Sequence, residues 1–303
     1  MARRHHFAKR GAASINPEVI GTPARRRYRR AMMHTQAAAP PVGNLLRVWR
    51  QRRRMSQLDL ACEADISTKH LSFLETGRSR PSREMVLHLA ERLAVPLRER
   101  NTLLHAAGFA PVFPQRSLDD PALADARKAV DLILKSHEPF PALVVDRGWN
   151  LVAANRMIGP LTSGADPDLL QAPINVLRLS LHPRGLAPQI ANLDLWRAHI
   201  LERLRREVEI TADKALAELL TELRAYPTSS PLRARAPMDE FSNIALPLQL
   251  RHGDAVLSFL STTTVFGTPV DVTLSELTLE TFFPEDTATA TALQAMAAAL
   301  PPA

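Results

Sequence analysis

The sequence predicts a two-domain chain: an all-α helix-turn-helix domain, then an α+β domain built on a five-stranded antiparallel sheet. Three observations lead there. Short apolar-periodic helical runs crowd residues 43–107, and from Ala142 the pattern changes to period two. Charge divides along the same line. Of a net +7, residues 1–36 carry +8 (nine Lys/Arg against Glu18), residues 37–116 carry +6 (thirteen against seven) and residues 117–303 carry −7 (sixteen against twenty-three). A cationic front and an acidic remainder that phosphate would repel suit a DNA reader joined to a domain that does not touch DNA. The expected division is a basic disordered extension over 1–40, the helix-turn-helix domain over 41–110, a linker or connecting helix over 111–138, and the sheet domain over 139–303.

The first forty residues scatter Arg3-Arg4, Lys9-Arg10, Arg25–Arg27 and Arg29-Arg30 among Ala, Pro and Gly, with too few apolar residues for a core. They read either as an arm adding phosphate affinity or as sequence ahead of a start at Met32 or Met33. No apolar segment follows the first arginines, so they do not read as a secretion signal.

An Arg-dense helix precedes two short helices, Ser56–Ala64 and Ser67–Glu75, hinged by Asp65-Ile66. Ser56 with Asp59 approximates a capping box. Leu58, Ala61, Ile66, Leu71 and Leu74 are spaced to point inward, and Glu75 suits an ion pair with an Arg of the first helix. Gly77 stands where a left-handed cap would end the second helix. Pro81 and Ser82 open a fourth helix, Ser82–Leu93, with Met85, Leu89 and Leu93 inward. A fifth, Leu97–Ala107, ends at Gly108. In such a bundle the second helix of the pair enters the major groove with its first turn on base edges. That turn offers Thr68, Lys69 and His70, with Ser72 one turn on; Lys69 suits the acceptor edge of guanine. Gln57 is placed for a phosphate, and Arg78 and Arg80 for the DNA backbone. The one cysteine, Cys62, excludes an internal disulfide or a multi-cysteine metal site, and reads as a small buried residue.

In the second half, Ala142–Asp146 and Trp149–Ala153 flank Arg147-Gly148 as a hairpin. Helices are expected at Asn155–Leu161, at Leu193–Val208 capped by Asn192, and at Asp213–Tyr226. Strand-like runs follow at Asn243–Arg251, Ala255–Phe266 and Val270–Phe282, and an Ala-rich helix at Asp286–Leu300. Two strands, several helices and a three-strand meander can enclose an apolar pocket between sheet and helices. Apolar candidates for its lining are Val144, Leu151, Ile158, Leu177, Leu179, Trp196, Ile200, Phe259 and Val265. Polar candidates are Asn155, Asn175, Arg178, His182, Arg197 and His199, with Arg178 the first choice to meet a carboxylate because it interrupts an apolar run. Of these, Asn155, Arg178, His182, Trp196, Arg197 and Ile200 form the expected ligand set.

Chemistry-bearing motifs are missing: no Gly-x-Ser-x-Gly, no His-Glu-x-x-His and no phosphate-binding glycine loop. His137-Glu138 precedes Pro139 and lacks a second His, and Ser261–Thr264 reads as strand. No enzymatic activity, cofactor or metal is expected, and no apolar run nears the roughly 20 residues that span a bilayer. The expected location is cytoplasmic.

Residues 43–81 resemble the repressor/Cro-type (xenobiotic-response-element) helix-turn-helix. The runs Ser67–Ser82, Val144–Asn155 and Phe259–Leu277 narrow the resemblance to the bacterial MmyB-like transcription regulators, over about residues 40–290. That resemblance implies a DNA-binding module ahead of a PAS-like ligand-binding domain, and a fatty-acid-like ligand. Double-stranded DNA is then the expected partner, read as a homodimer with half-sites about 34 Å apart. The alternative is a second domain that only dimerises or binds a partner protein, without a ligand.

Overall fold

The computed structural model describes residues 41–227, 246–267 and 269–301. The expected basic extension, and residues 243–245 of one expected strand, lie outside them.

Five helices make the front bundle: α1 (Val42–Arg52), α2 (Gln57–Glu63), α3 (Thr68–Glu75), α4 (Arg83–Arg92) and α5 (Leu97–Ala106). Their starts are fixed by side chains. Ser56, Ser67 and Ser82 each accept the amide three residues on, and Ser56 and Asp59 complete a reciprocal box. Gly77 and Gly108 take left-handed φ of 74° and 86° just past α3 and α5. Where α1 crosses α3, a Cβ on Gly43 would lie 2.3 Å from the Leu74 carbonyl oxygen, so only glycine permits that approach. Leu46, Leu60, Leu71, Leu74, Leu89 and Leu104 are wholly buried between the helices.

Two expectations for α2 fail together. Leu58 is 61 % exposed and Cys62 is exposed as well. With the helix starting at Gln57, Leu60, Ala61 and Ala64 share the inward face, and Leu58 and Cys62, four apart, share the outer one. Met85 is half-buried, and Val86 takes the inward place.

Glu75 does meet the first helix. Arg50 Nε and Nη2 donate to its two oxygens at 2.6 and 2.9 Å, and Arg50 Nη1 donates to the Met55 carbonyl at 2.8 Å. Both residues are buried. Burial alone would push the Glu75 carboxyl up. Hydrogen bonds from Arg50 and Gln57, with the Arg50 charge, outweigh it and hold the group below the usual range.

After a linker, α6 (Ala124–Ser136) leads into β1 (Ala142–Val145) and β2 (Leu151–Ala154). Then come α7 (Ile158–Thr162), α8 (Val176–Leu181), α9 (Leu193–Thr211) and α10 (Lys214–Ala225). The chain finishes with β3 (Leu248–His252), β4 (Ala255–Val265), the one-turn α11 (Val272–Ser275), β5 (Thr278–Pro284) and α12 (Thr287–Ala299). The sheet is antiparallel, in the order β2-β1-β5-β4-β3, the PAS-like arrangement expected. Alternation along β1 explains its complete burial. Leu143 and Val145 join the large core under α9 and α10, while Ala142 and Val144 pack with Val130 and Leu134 of α6 on the opposite face.

Several expected boundaries move. Trp149 belongs to the β1–β2 turn rather than to a strand, at φ 64°. The run from Val270 is not one strand: Asp271 accepts the Thr273 amide, caps α11, and delays β5 to Thr278. Asn192 precedes α9 without capping it; its side chain instead accepts from Gln249 N and donates to Pro247 O, pinning β3. The terminal helix packs back on the sheet, with Leu293 wholly buried.

Glu75→Ala leaves the Arg50 guanidinium buried without its carboxylate and is expected to cost about 3–5 kcal/mol of stability. Arg127→Ala, which removes an exposed pair with Asp119, should cost less than about 1 kcal/mol. Urea denaturation of both variants checks the contrast.

Candidate DNA interface and ligand cavity

On α3, Thr68 and Lys69 are exposed, and His70 and Ser72 are half-buried. Ser72 stands four residues from Thr68 and three from Lys69, so it neighbours both on the helix surface. The loop after the helix carries the exposed Arg78 and Arg80 and is tied back by Ser79 N donating to Phe73 O at 3.1 Å. Phe73 organises this surface. Lys69 Nζ lies 5.7 Å and the Arg78 guanidinium 5.9 Å from its ring centroid, so the two cations share one aromatic ring. Sequence reading missed Phe73; its signal is an aromatic four residues after Lys69 on a helix already assigned to DNA. Gln57 needs correction. Its Nε2 donates to Glu75 Oε2 at 2.8 Å, so the amide is turned into the buried ion pair rather than towards phosphate.

In the sheet domain a cavity of about 130 Å³ lies between the inner sheet face and α7, α8 and α9. Leu143, Leu151, Leu250, Phe259 and Phe282 line it from the strands, and Ile158, Leu161, Leu177, Trp196 and Ile200 from the helices. Among the described residues, its charged lining consists of Arg203 and Glu280. Arg203 Nη2 donates to Glu280 Oε1 at 2.5 Å and to Thr263 Oγ1 at 2.9 Å, and its guanidinium sits 4.5 Å above the centroid of Trp149. The Trp149 indole N–H donates to Glu207 at 2.9 Å, and burial pushes that carboxyl up. Trp149 and Arg203 also border a groove of about 630 Å³ whose lining mixes His199, Glu202, Arg206 and Glu207 with Leu195, Ile210 and Leu246. Burial and the Arg203 charge push the His199 imidazole down, so it is neutral at neutral pH.

Only part of the expected ligand set reaches this cavity. Trp196 and Ile200 line it, as do Leu151, Ile158, Leu177, Leu179 and Phe259. Arg178 does not: it is partly exposed on α8 and forks onto Glu222 of α10 at 2.8 Å. Arg197 is buried, but its guanidinium donates to the carbonyls of Arg224 and Tyr226 at the end of α10. Asn155 is spent on the backbone, serving Ala142 N, Leu134 O and Phe140 O. His182 packs edge-on against Tyr226, and its Nδ1 accepts from Arg184 N. Asn175 caps α8 and holds Gly148 O; Val144 faces α6, and Val265 is 60 % exposed. Arg203 was missed, though it continues the Trp196, Ile200 stripe at i+7. Glu280 had a signal too, a lone carboxylate inside the apolar β5 run.

A helix-turn-helix bundle ahead of a cavity-bearing sheet domain defines a DNA-binding transcription regulator with a ligand-binding domain. Residues 41–103 match the family model described as "Helix-turn-helix domain", and residues 126–296 match "MmyB-like transcription regulator ligand binding domain". The chain belongs to the MmyB-like transcription regulators. No curated protein matches it. A solved chain described as "Structure of an RNA-binding Light-Oxygen-Voltage Receptor" aligns at 13 % identity with a TM-score of 0.23, over 93 % of this chain and 70 % of that one, a likeness too weak to bear on the fold. Among the described residues no helix is long and apolar enough to cross a membrane, and no cluster of three metal-ligating side chains forms.

Glu207 makes a pH prediction. Its folded-state pKa is raised above the ordinary 4.5, so the stability this group contributes is complete below that value and lost as pH rises through the folded one. Glu207→Gln, which keeps an acceptor for Trp149, should therefore melt higher than wild type at neutral pH. The gap should close near pH 4.5, as scanning calorimetry at both pH values would show.

Proposed function

We propose that the chain is a ligand-responsive transcription regulator: a homodimer that reads duplex DNA with α3 and takes the apolar part of a fatty-acid-like amphiphile into the sheet domain. In this reading Thr68, Lys69, His70 and Ser72 meet base edges. Arg78 and Arg80 track phosphates, and Phe73 stiffens the cations beside it. Trp196 and Ile200 are the members of the expected ligand set that contact the ligand, and the regulator works in the cytoplasm without cofactor or catalysis.

One observation carries the ligand reading: an apolar cavity whose charged lining is Arg203 with its partner Glu280, Arg203 being shared with a groove that also carries His199, Glu202, Arg206 and Glu207. An amphiphile fits that gradient, with its tail inside and its head group at Arg203. The size is also informative. Apolar cavities of roughly 150 Å³ stay dry and admit a benzene-sized guest. A long chain therefore has to push side chains such as Phe282 and Leu248 aside, and that displacement gives the domain two states to select between.

Mass spectrometry of an organic extract of the purified, denatured protein tests this. A stoichiometric long-chain acid supports the reading, and an empty extract shifts weight to a second domain that only dimerises. Since Glu280 already occupies Arg203, Glu280→Gln should bind dodecanoic acid more tightly than wild type. Arg203→Met should lose the preference for that acid over dodecanol; calorimetric titration reads both. On the DNA side, Lys69→Ala should cost about 1–3 kcal/mol at one base pair and relax the preference there. Arg80→Ala should weaken all duplexes alike and lower the salt slope by about one, measured by fluorescence anisotropy across a salt series.

A further inference from the structure

The turn that walls the cavity also reaches the DNA-binding bundle. Between β1 and β2, Asp146 Oδ1 accepts from Gly148 N at 2.8 Å and Asn150 N at 2.9 Å. Asn175 Nδ2 holds Gly148 O at 2.7 Å, and Val176 N holds Trp149 O at 2.9 Å. Tied this way, the turn moves as one body. Trp149 is kept at φ 64°, a left-handed conformation that a bulky side chain rarely adopts and that surrounding structure must impose.

Two residues before that indole, Arg147 has its own set of partners. Its guanidinium lies 3.2 Å from Asp213, just past α9, and 3.8 Å from Glu276, just past α11. Glu276 is at the same time the forked partner of Arg98 on α5, with both hydrogen bonds at 2.7 Å. Glu99 adjoins this cluster, its carboxyl pushed up by burial against the pull of Arg147 and Arg98. The linker joins the same face: Pro114 O accepts from Val272 N, and Arg116 pairs with Asp271. In these pairs the guanidinium groups are partly exposed while the carboxylates are largely buried, so a carboxylate that loses one of its cations is left under-neutralised.

We propose that the Asp146–Asn150 turn couples the cavity to the DNA-binding bundle. An occupant that displaces Trp149 carries Arg147 with it, removes one of the two cations on Glu276, and loosens the hold of the sheet domain on α5. This rests on the cavity being the ligand site, but the coupling itself can be tested without any ligand.

Hydrogen exchange of the full chain is read at residues 97–106 and 272–276 in wild type, Arg147→Gln, Trp149→Phe, and Arg205→Gln as a charge-matched control on the exposed face of α9. Both turn variants should speed exchange there by at least about threefold and the control should not, since a helix held less firmly by its neighbours opens locally more often. Wild-type rates in both turn variants overturn the proposal. A second arm adds saturating dodecanoic acid, whose binding is reported separately by protection of residues 193–204. Acid that protects those residues and speeds α5 in wild type but not in Arg147→Gln supports the coupling. Acid that protects them and leaves α5 unmoved overturns it. Acid that protects nothing overturns the fatty-acid reading of the cavity, while the ligand-free variants still decide the coupling.

Discussion

A guanidinium brought to the wall of an apolar cavity must be neutralised and stacked, and the way Arg203 meets this demand organises the sheet domain. Its charge is met by Glu280 from the middle of β5, and its flat face rests on Trp149 from the β1–β2 turn. Three elements distant in sequence are thereby held at one point: α9, the central strand and the hairpin. The same residue lines both the apolar cavity and the groove that carries Glu202, Arg206 and Glu207. Without a charge there, the cavity would be a packing defect with no orientation. With it, the cavity distinguishes one end of a guest from the other.

From that point the structure runs without a break to the DNA-binding helices. Trp149 is fixed by strained backbone and by Glu207, its neighbour Arg147 shares Glu276 with Arg98, and Arg98 belongs to the last helix of the bundle. The bundle has its own buried anchor in Arg50 and Glu75, which Gln57 completes. That anchor binds α1 to the end of α3, so the helix that presents Lys69 is set by the core and not by its exposed loop. The two halves thus differ in kind. The reader is built on a desolvated ion pair and dense leucine packing, whereas the junction is held by partly exposed guanidinium groups on largely buried carboxylates.

Much of this was legible in the sequence, for identifiable reasons. Ser56, Ser67, Ser82, Gly77 and Gly108 declare helix ends by local chemistry, so the bundle needs no tertiary information to be drawn. The antiparallel sheet was legible because alternation and turn residues are also local. Side chains whose role depends on a distant partner were harder. Arg178 looked like a pocket residue inside an apolar run, yet α10 brings Glu222 to it on the wet side. Gln57 looked available to phosphate until Glu75 arrived from another helix. Arg203 and Glu280 are seventy-seven positions apart and acquire meaning only as a pair. The run from Val270 carried strand-like residues, but the Asp271 cap and the hydrogen bond to Pro114 overrode that preference.

The central claim is that one chain links occupancy of an apolar cavity to its grip on DNA. The most direct measurement is the affinity of the full chain for a duplex enriched by in vitro selection, at one fixed salt concentration, with and without saturating dodecanoic acid. The account predicts a change of at least about fivefold, and an equal factor in acid affinity when DNA is bound first, because coupling between two sites is reciprocal. Identical DNA affinity while the acid is demonstrably bound would contradict it.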